Sequence, residues 1–93
     1  MGGPTDEGPS AGGGRRAWLA VPDVGTRDPI VVSLWLVPEG SAVREGDRVV
    51  ELVCGAATID LEAPLDGRLT AQLVDEDETV FVGTPLATFE AAP

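Results

Sequence analysis

The sequence contains no histidine, and because all six basic residues are arginine it contains no lysine either. Without histidine, the common general base, the usual zinc ligand and the Ser-His pair of hydrolases are unavailable. Without lysine, no side chain can form a Schiff base or hold a prosthetic group through an amide bond. An enzyme built on this chain would depend on carboxylates, arginine or Cys54, so we expect the protein not to be an enzyme.

Cysteine and long apolar runs are also scarce. One cysteine cannot form an internal disulfide bond, and no apolar stretch approaches the ~20 residues of a membrane-spanning helix. The beginning of the sequence lacks the charged-then-apolar pattern of a secretory signal. We therefore expect a cytoplasmic location and no membrane association.

Positive charge is outweighed by negative charge. Sixteen acidic residues against six arginines give a formal charge of −10 and a pI near 4.1. Such a surface repels a phosphate backbone, so nucleic acid is not expected as a partner. Arg44 and Arg48 lie among acidic residues, and we interpret them as surface charges worth less than ~1 kcal/mol each rather than as an anion site.

Glycine and proline divide the chain into two parts. Residues 1–15 have almost nothing to bury and are expected to form a disordered tail. Residues 16–91 contain short apolar runs separated by Gly, Pro and Asp about every ten residues, which is typical of an all-β sandwich or barrel. We expect one domain with a thin core, because a chain of this size buries only roughly 60% of its unfolded surface.

Six segments have the composition of strands. In 58–62, Ile59 and Leu61 fall on one face and the polar residues on the other, as in a strand with one buried face. Asp66-Gly67 is interpreted as a turn in which glycine supplies backbone freedom. The predicted strands are 17–22, 29–37, 49–54, 58–64, 67–74 and 86–90.

An internal repeat links residues 36–52 to residues 73–89. The alignment pairs Leu36 with Leu73, Val43 with Val80, Gly46 with Gly83, Val49 with Leu86, and Leu52 with Phe89. Two similar halves predict a pseudo-twofold sandwich in which neither half can bury its apolar face alone. We expect each half to supply one sheet.

Four segments, in order and at nearly the expected spacing, resemble the lipoyl and biotinyl carrier domains of 2-oxo acid dehydrogenase complexes and biotin-dependent carboxylases. These are VPDVG (21–25), WLVPEGSAVREGDRVVEL (35–52), ATIDLEAPLDGRL (57–69) and ETVFVGTPLATFE (78–90). The resemblance covers about residues 18–90. It implies a flattened barrel of two four-stranded antiparallel sheets, the barrel-sandwich hybrid, with a modified residue at the tip of an exposed hairpin.

The attachment residue itself is missing. The family's tip is approximately Asp-Lys-Ala in lipoyl domains and Met-Lys-Met in biotinyl ones, and the resemblance places Gly55, Ala56 and Ala57 on these positions. A degenerate attachment hairpin, Cys54 to Ala57, is thus implied, with no lipoate, biotin or other cofactor. The implied function is an interaction or scaffold module of an acyl-transfer or 2-oxo acid dehydrogenase-type system, with protein partners from a multienzyme complex.

An alternative is a genuine lipoyl, or less readily biotinyl, carrier domain whose lysine at position 56 has been substituted. Lipoyl ancestry is favoured because ATIDLEAP follows the tip and the methionine flanks are absent. Natural loss of the modification is favoured over laboratory substitution of the lysine, because position 55 also carries glycine instead of the family's acidic residue. A simpler interpretation is that a two-residue hairpin turn needs a residue that tolerates positive φ, and Gly55 supplies it.

Other candidate sites have simpler interpretations. Cys54 could support thiol chemistry, but it shares the apolar face of its strand and is expected to be a small buried hydrophobe. The acidic run 75–78 aligns with an ordinary turn at 38–41, so we expect a solvated loop and no metal site. Trp18 and Trp35 are expected to pack in or against the core.

Overall fold

The computed structural model describes residues 15–93, and within this range the chain is entirely β-structure and turns. No described residue belongs to a helix, so none of that region provides a helix able to cross a membrane. Residues 1–15 are expected to form a disordered tail. Residues 1–14 lie outside the described range, so this expectation stays a prediction. The eight strands are β1 (Arg16–Ala20), β2 (Ile30–Trp35), β3 (Ala42–Val43), β4 (Arg48–Cys54), β5 (Ala57–Glu62), β6 (Gly67–Gln72), β7 (Thr79–Val80) and β8 (Pro85–Ala91).

The strands form two four-stranded antiparallel sheets, which confirms the predicted fold class. One sheet, here called the terminal sheet, has the order β1-β8-β6-β3; the other, the hairpin sheet, has the order β5-β4-β2-β7. Advancing every strand by four positions along the chain converts one order into the other. The repeat in the sequence is therefore a pseudo-twofold symmetry of the fold.

The two halves of the chain exchange strands, so the expectation that each half supplies one sheet is wrong. In the terminal sheet β1 pairs with β8 and β3 with β6, and in the hairpin sheet β5 pairs with β4 and β7 with β2. Every one of these pairings joins the first half to the second. Because the backbone hydrogen bonds cross between the halves, neither half can complete a sheet alone.

The repeat holds at the level of single residues and bonds. The backbone N–H of Trp35 donates to the Glu76 carboxylate at 2.9 Å, and its equivalent, Gln72, donates to Glu39 at 2.8 Å. The indole Nε1 of Trp35 donates to the Val74 carbonyl, and the Gln72 amide donates to the equivalent carbonyl of Val37. Each of the two short polar turns, 38–41 and 75–78, thus accepts a hydrogen bond at the end of a strand from the other half of the repeat, in the same way.

The core lies between the two sheets. The aligned apolar pairs of the repeat supply much of it, since Val49, Leu86, Leu52 and Phe89 are fully buried. Ile59 and Leu61 face the core from β5 as predicted, whereas Leu36 and Leu73 are exposed. The buried apolar residues are Val21, Ile30, Val32, Val43, Val49, Val50, Leu52, Cys54, Leu61, Ala63, Leu69, Val74, Val80, Leu86, Ala87 and Phe89.

The tryptophans differ from each other. Trp35 is half-buried against the core, as expected. Trp18 is 64% exposed, so the prediction that it packs in or against the core is wrong. It lies on β1, an edge strand, where it pairs with Thr88 on the outward side of the terminal sheet.

Several predicted strands need correction. The predictions 17–22, 58–64 and 67–74 each extend two residues too far, since the strands end at Ala20, Glu62 and Gln72. The two-residue strands β3 and β7 were not predicted, because a strand this short shows no alternation. The predicted strand 29–37 ends at Trp35, after a register shift between Val32 and Leu34. Gly67 opens β6, in agreement with the predicted strand 67–74, but the reason expected for glycine there is wrong. Close packing requires it, because a Cβ at this position would collide with the backbone carbonyl of Glu90 on β8.

Candidate functional site

The β4–β5 hairpin forms the candidate site. Cys54 pairs with Ala57 across the end of the hairpin, which leaves Gly55 and Ala56 as a two-residue turn. Gly55 has a φ of 61°, while the φ of Ala56 is not positive. Positive φ at the first central position alone is the pattern of a type II′ turn, which glycine adopts without steric cost.

A second chain segment lies against this turn. The side chain of Asp28, in the loop between β1 and β2, occupies the space that a Cβ on Gly55 would need, and its Oδ2 would collide with that atom. The loop is held locally by a 3.0 Å hydrogen bond in which the Asp28 backbone N–H donates to Thr26 Oγ1. Position 55 is therefore restricted to glycine both by its backbone conformation and by its neighbour.

A small groove runs between the loop and the hairpin, with a volume of about 380 Å³. Most of its lining is apolar or methyl-bearing, and Asp28 contributes the charged group. Its lining residues are Val24, Thr26, Asp28, Cys54, Ala56, Ala57 and Ile59. The groove thus offers contact surface and one carboxylate.

The tip does not fit a covalently attached lipoyl or biotinyl group. Such attachment needs a side-chain amine, and Ala56 presents a methyl group where the resemblance places that amine. None of the residues that line the adjoining groove carries an amine, and the 93-residue sequence contains no lysine. No reaction step through either group can be assigned to this hairpin.

Cys54 lies at the end of β4 with its side chain in the core. It is 5% exposed and pairs with Ile30 on one side and Ala57 on the other. Its position agrees with the small buried hydrophobe expected from the alternation of its strand. Burial of this kind separates a thiol from reagents in solution.

The remaining candidates serve the surface. Among the described residues, no three potential ligands of the His, Cys, Asp and Glu types come together to hold a metal ion. In the acidic run, Glu76 and Glu78 accept hydrogen bonds from the backbone N–H groups of Trp35 and Asp75. Arg48 donates to Asp60 at 3.2 Å across β4 and β5, in an exposed ion pair.

The residue that sequence reasoning missed is Asp28. It stands 27 positions before the turn, three residues after the VPDVG segment (21–25), and nothing in the local pattern brings it to the hairpin. The one available signal was indirect: Gly55 departs from the acidic residue usual in the resembled family. The structure supplies the reason, since an acidic side chain at 55 would meet the Asp28 carboxylate.

Similarity to known proteins agrees with the fold. The biotin/lipoyl family model, described as biotin-requiring enzyme, matches residues 18–89. A stretch of 56 residues is 38% identical to the dihydrolipoyllysine-residue acetyltransferase component of the acetoin cleaving system of Pseudomonas putida. That stretch covers 60% of this chain and 15% of that protein.

The fold is similar to a domain within a much larger solved structure, a single-chain, multi-domain long-chain acyl-CoA carboxylase. The TM-score is 0.69, with 24% sequence identity, over 84% of this chain and 7% of that one. At this identity the likeness concerns the fold alone. The chain spans only a small part of the length of both relatives.

Proposed function

This chain belongs to the biotin/lipoyl family, and we propose that it is a non-catalytic member that carries neither lipoate nor biotin and acts by docking on other proteins. Its partners belong to an acyl-transfer or 2-oxo acid dehydrogenase-type system in the cytoplasm. The observation that carries the proposal is the hairpin tip, where Ala56 stands in the position of the family's attachment lysine.

The departure at the tip involves matched residues rather than one position. Gly55 replaces the acidic residue, and the Asp28 carboxylate fills the space beside it. An aspartate restored at position 55 would collide with Asp28 and would bring two negative charges together. Because a single laboratory substitution of lysine would leave position 55 unchanged, this arrangement favours natural loss of the modification.

Retention of the rest of the domain supports a docking role. The symmetric core, both sheets and an acidic surface persist without the attachment residue. Charged surfaces on small domains steer association and select partners. The name of the Pseudomonas putida relative, an acetyltransferase component of a cleaving system, supports an acyl-transfer setting.

The decisive experiment restores the amine and then the surrounding tip. Ala56→Lys, Gly55→Asp/Ala56→Lys, and the same pair combined with Asp28→Ala are each incubated with a lipoate ligase or a biotin ligase and followed by intact mass. An established lipoyl domain serves as the positive control. We expect Ala56→Lys alone to gain little mass. The triple variant should gain more than the double variant, because removing the Asp28 side chain leaves space for the new carboxylate at position 55.

Rapid and complete modification of Ala56→Lys, at the rate of the positive control, would contradict the proposal. It would show that the tip keeps everything except the amine. The alternative, a genuine carrier domain with a substituted lysine, would then be preferred.

A further inference from the structure

Building on the docking role proposed above, we propose that the chain docks through the outward side of the hairpin sheet, onto a protein surface with an apolar centre and a basic rim. The residues concerned are here called the apolar face. They are Val31, Leu34, Leu36, Val53 and Phe81.

Strand register places these residues together. Val31 pairs with Val53 on one side and Thr79 on the other, while their neighbours Ile30, Cys54 and Val80 point into the core. One step along the sheet, Leu34 pairs with Glu51.

The face continues at both ends. Phe81 follows β7 with the parity of the exposed Thr79, and it is 71% exposed, with Val82 also exposed beside it. At the other end Leu36 borders a groove of about 630 Å³, whose lining also includes Arg48, Glu51 and Asp60.

The pseudo-twofold symmetry provides an internal comparison. The equivalents of Val31, Val53 and Phe81 in the other half of the repeat are Arg68, Glu90 and Arg44. On the terminal sheet Arg68 pairs with Glu90, and Glu90 with Arg16, so at these positions that side carries a row of charges, beside the exposed Trp18. The same backbone thus accepts charged side chains at these three positions, so the fold does not require Val31, Val53 and Phe81 to be apolar. Contiguous exposed apolar surface marks an interaction site.

Acidic groups border the apolar face on both sides. On the β7 side the run 75–78 lies along β2, where the Asp77 backbone N–H donates to the Val32 carbonyl. On the β5 side Glu51 pairs with Asp60, and Glu62 follows. Within this part of the described structure the cation Arg48 is already paired with Asp60. A complementary surface carries apolar side chains surrounded by lysine or arginine.

Charge disfavours two other occupants. Residues 1–14 of this chain contain one large apolar side chain, Met1, and two acidic ones, Asp6 and Glu7. This composition suits neither the apolar face nor the acidic groups that border it. A second copy would bring two chains of formal charge −10 together through the same acidic rim.

The test uses site-specific photocrosslinking of the full chain in its native host. p-Benzoylphenylalanine is placed at position 81 on the apolar face, at position 73 on the opposite side, and at position 56 on the hairpin tip. A protein crosslinked from position 81 is identified, purified and titrated with wild type, Phe81→Ser, Leu34→Ser and Leu73→Ser. Leu34 and Leu73 are a matched pair, because each is 45% exposed.

We expect adducts from position 81 and none from position 73. Affinity for the purified partner should fall about tenfold or more in Phe81→Ser and Leu34→Ser and stay within about twofold in Leu73→Ser. Raising the salt concentration should weaken binding, because it screens the acidic rim. Urea unfolding of each variant shows that the exposed substitutions leave the fold intact.

Four results would overturn the inference: no adduct from position 81, an adduct with a second copy, equal effects of Leu34→Ser and Leu73→Ser, or binding insensitive to salt. Adducts from position 56 alone would overturn the docking surface proposed here and leave the docking function standing. Absence of any partner from all three positions would count against both.

Discussion

The carboxylate of Asp28 lies in the space that a side chain on Gly55 would need. Two positions far apart in the sequence are therefore mutually dependent: glycine at 55 allows the loop to close on the hairpin, and the closed loop restricts 55 to glycine. The effect can be measured separately from the backbone requirement, because Gly40 also has a positive φ, 91° against 61° at Gly55, but no atom lies within 4 Å of the position that its Cβ would take.

Gly55→Ala should destabilise the protein more than Gly40→Ala. Both variants place a Cβ on a left-handed backbone, which costs roughly 1–2 kcal/mol, and Gly55→Ala adds the collision with Asp28. Introducing Asp28→Ala should remove the surplus, giving a coupling of about 0.5–3 kcal/mol in a double-mutant cycle. Urea unfolding of the four variants and wild type measures it. Equal losses at 40 and 55, or no coupling, would show that the loop does not press on the turn.

Trp35→Phe should lower the free energy of unfolding by about 1–3 kcal/mol, because the part-buried Val74 carbonyl loses the indole Nε1 donor at 3.1 Å. Trp18→Phe is the matched control. Since Trp18 is exposed on an edge strand, its replacement should change stability by less than about 0.5 kcal/mol. A comparable loss of stability in both variants would contradict the conclusion that Trp35 packs against the core and Trp18 does not.

Leu52→Ala and Phe89→Ala should each be severely destabilising. They are repeat equivalents, both fully buried, and truncations of this kind cost about 2–5 kcal/mol for leucine and 3–5 kcal/mol for phenylalanine. Far-ultraviolet circular dichroism during urea titration measures the loss, with Leu73→Ala as the exposed control. If either core variant lost as little stability as Leu73→Ala, the two halves would not share one core.

Cys54 should be protected from alkylation in the folded protein. Its side chain is 5% exposed, so labelling at neutral pH should proceed through transient opening of the structure and accelerate sharply in denaturant. Ellman's reagent, followed with and without urea, distinguishes the cases. Immediate stoichiometric labelling without denaturant would revive a thiol-based function for the hairpin.

The internal repeat predicted the pseudo-twofold symmetry of the fold and part of its core, whereas the two four-stranded sheets were implied by the family resemblance. Spacing of apolar residues and turns identifies the strands, and the aligned pairs Val49–Leu86 and Leu52–Phe89 identify the core. The exchange of strands between the halves was not predictable in this way, because alternation shows which face of a strand is buried but not which strand is its neighbour.

The candidate site was predictable only in part. Its turn follows from Gly55-Ala56 between two strand patterns, and the absence of an amine follows from composition. The contact with Asp28 depends on how the loop after β1 crosses the end of the hairpin sheet, which is a tertiary relationship without a local signal. The exposure of Trp18 and Phe81 escaped prediction for a similar reason, since an aromatic residue on a strand is compatible with either face.

The measurement that bears on the proposed function with the least intervention is the intact mass of the protein purified from its native organism. A non-carrier member of the family should have the mass of its unmodified polypeptide, and digestion should return the peptide spanning Cys54 to Ala57 with alanine at position 56 and no added group. A covalently bound lipoyl or biotinyl group on that peptide, or lysine at position 56 in the native protein, would contradict the proposal.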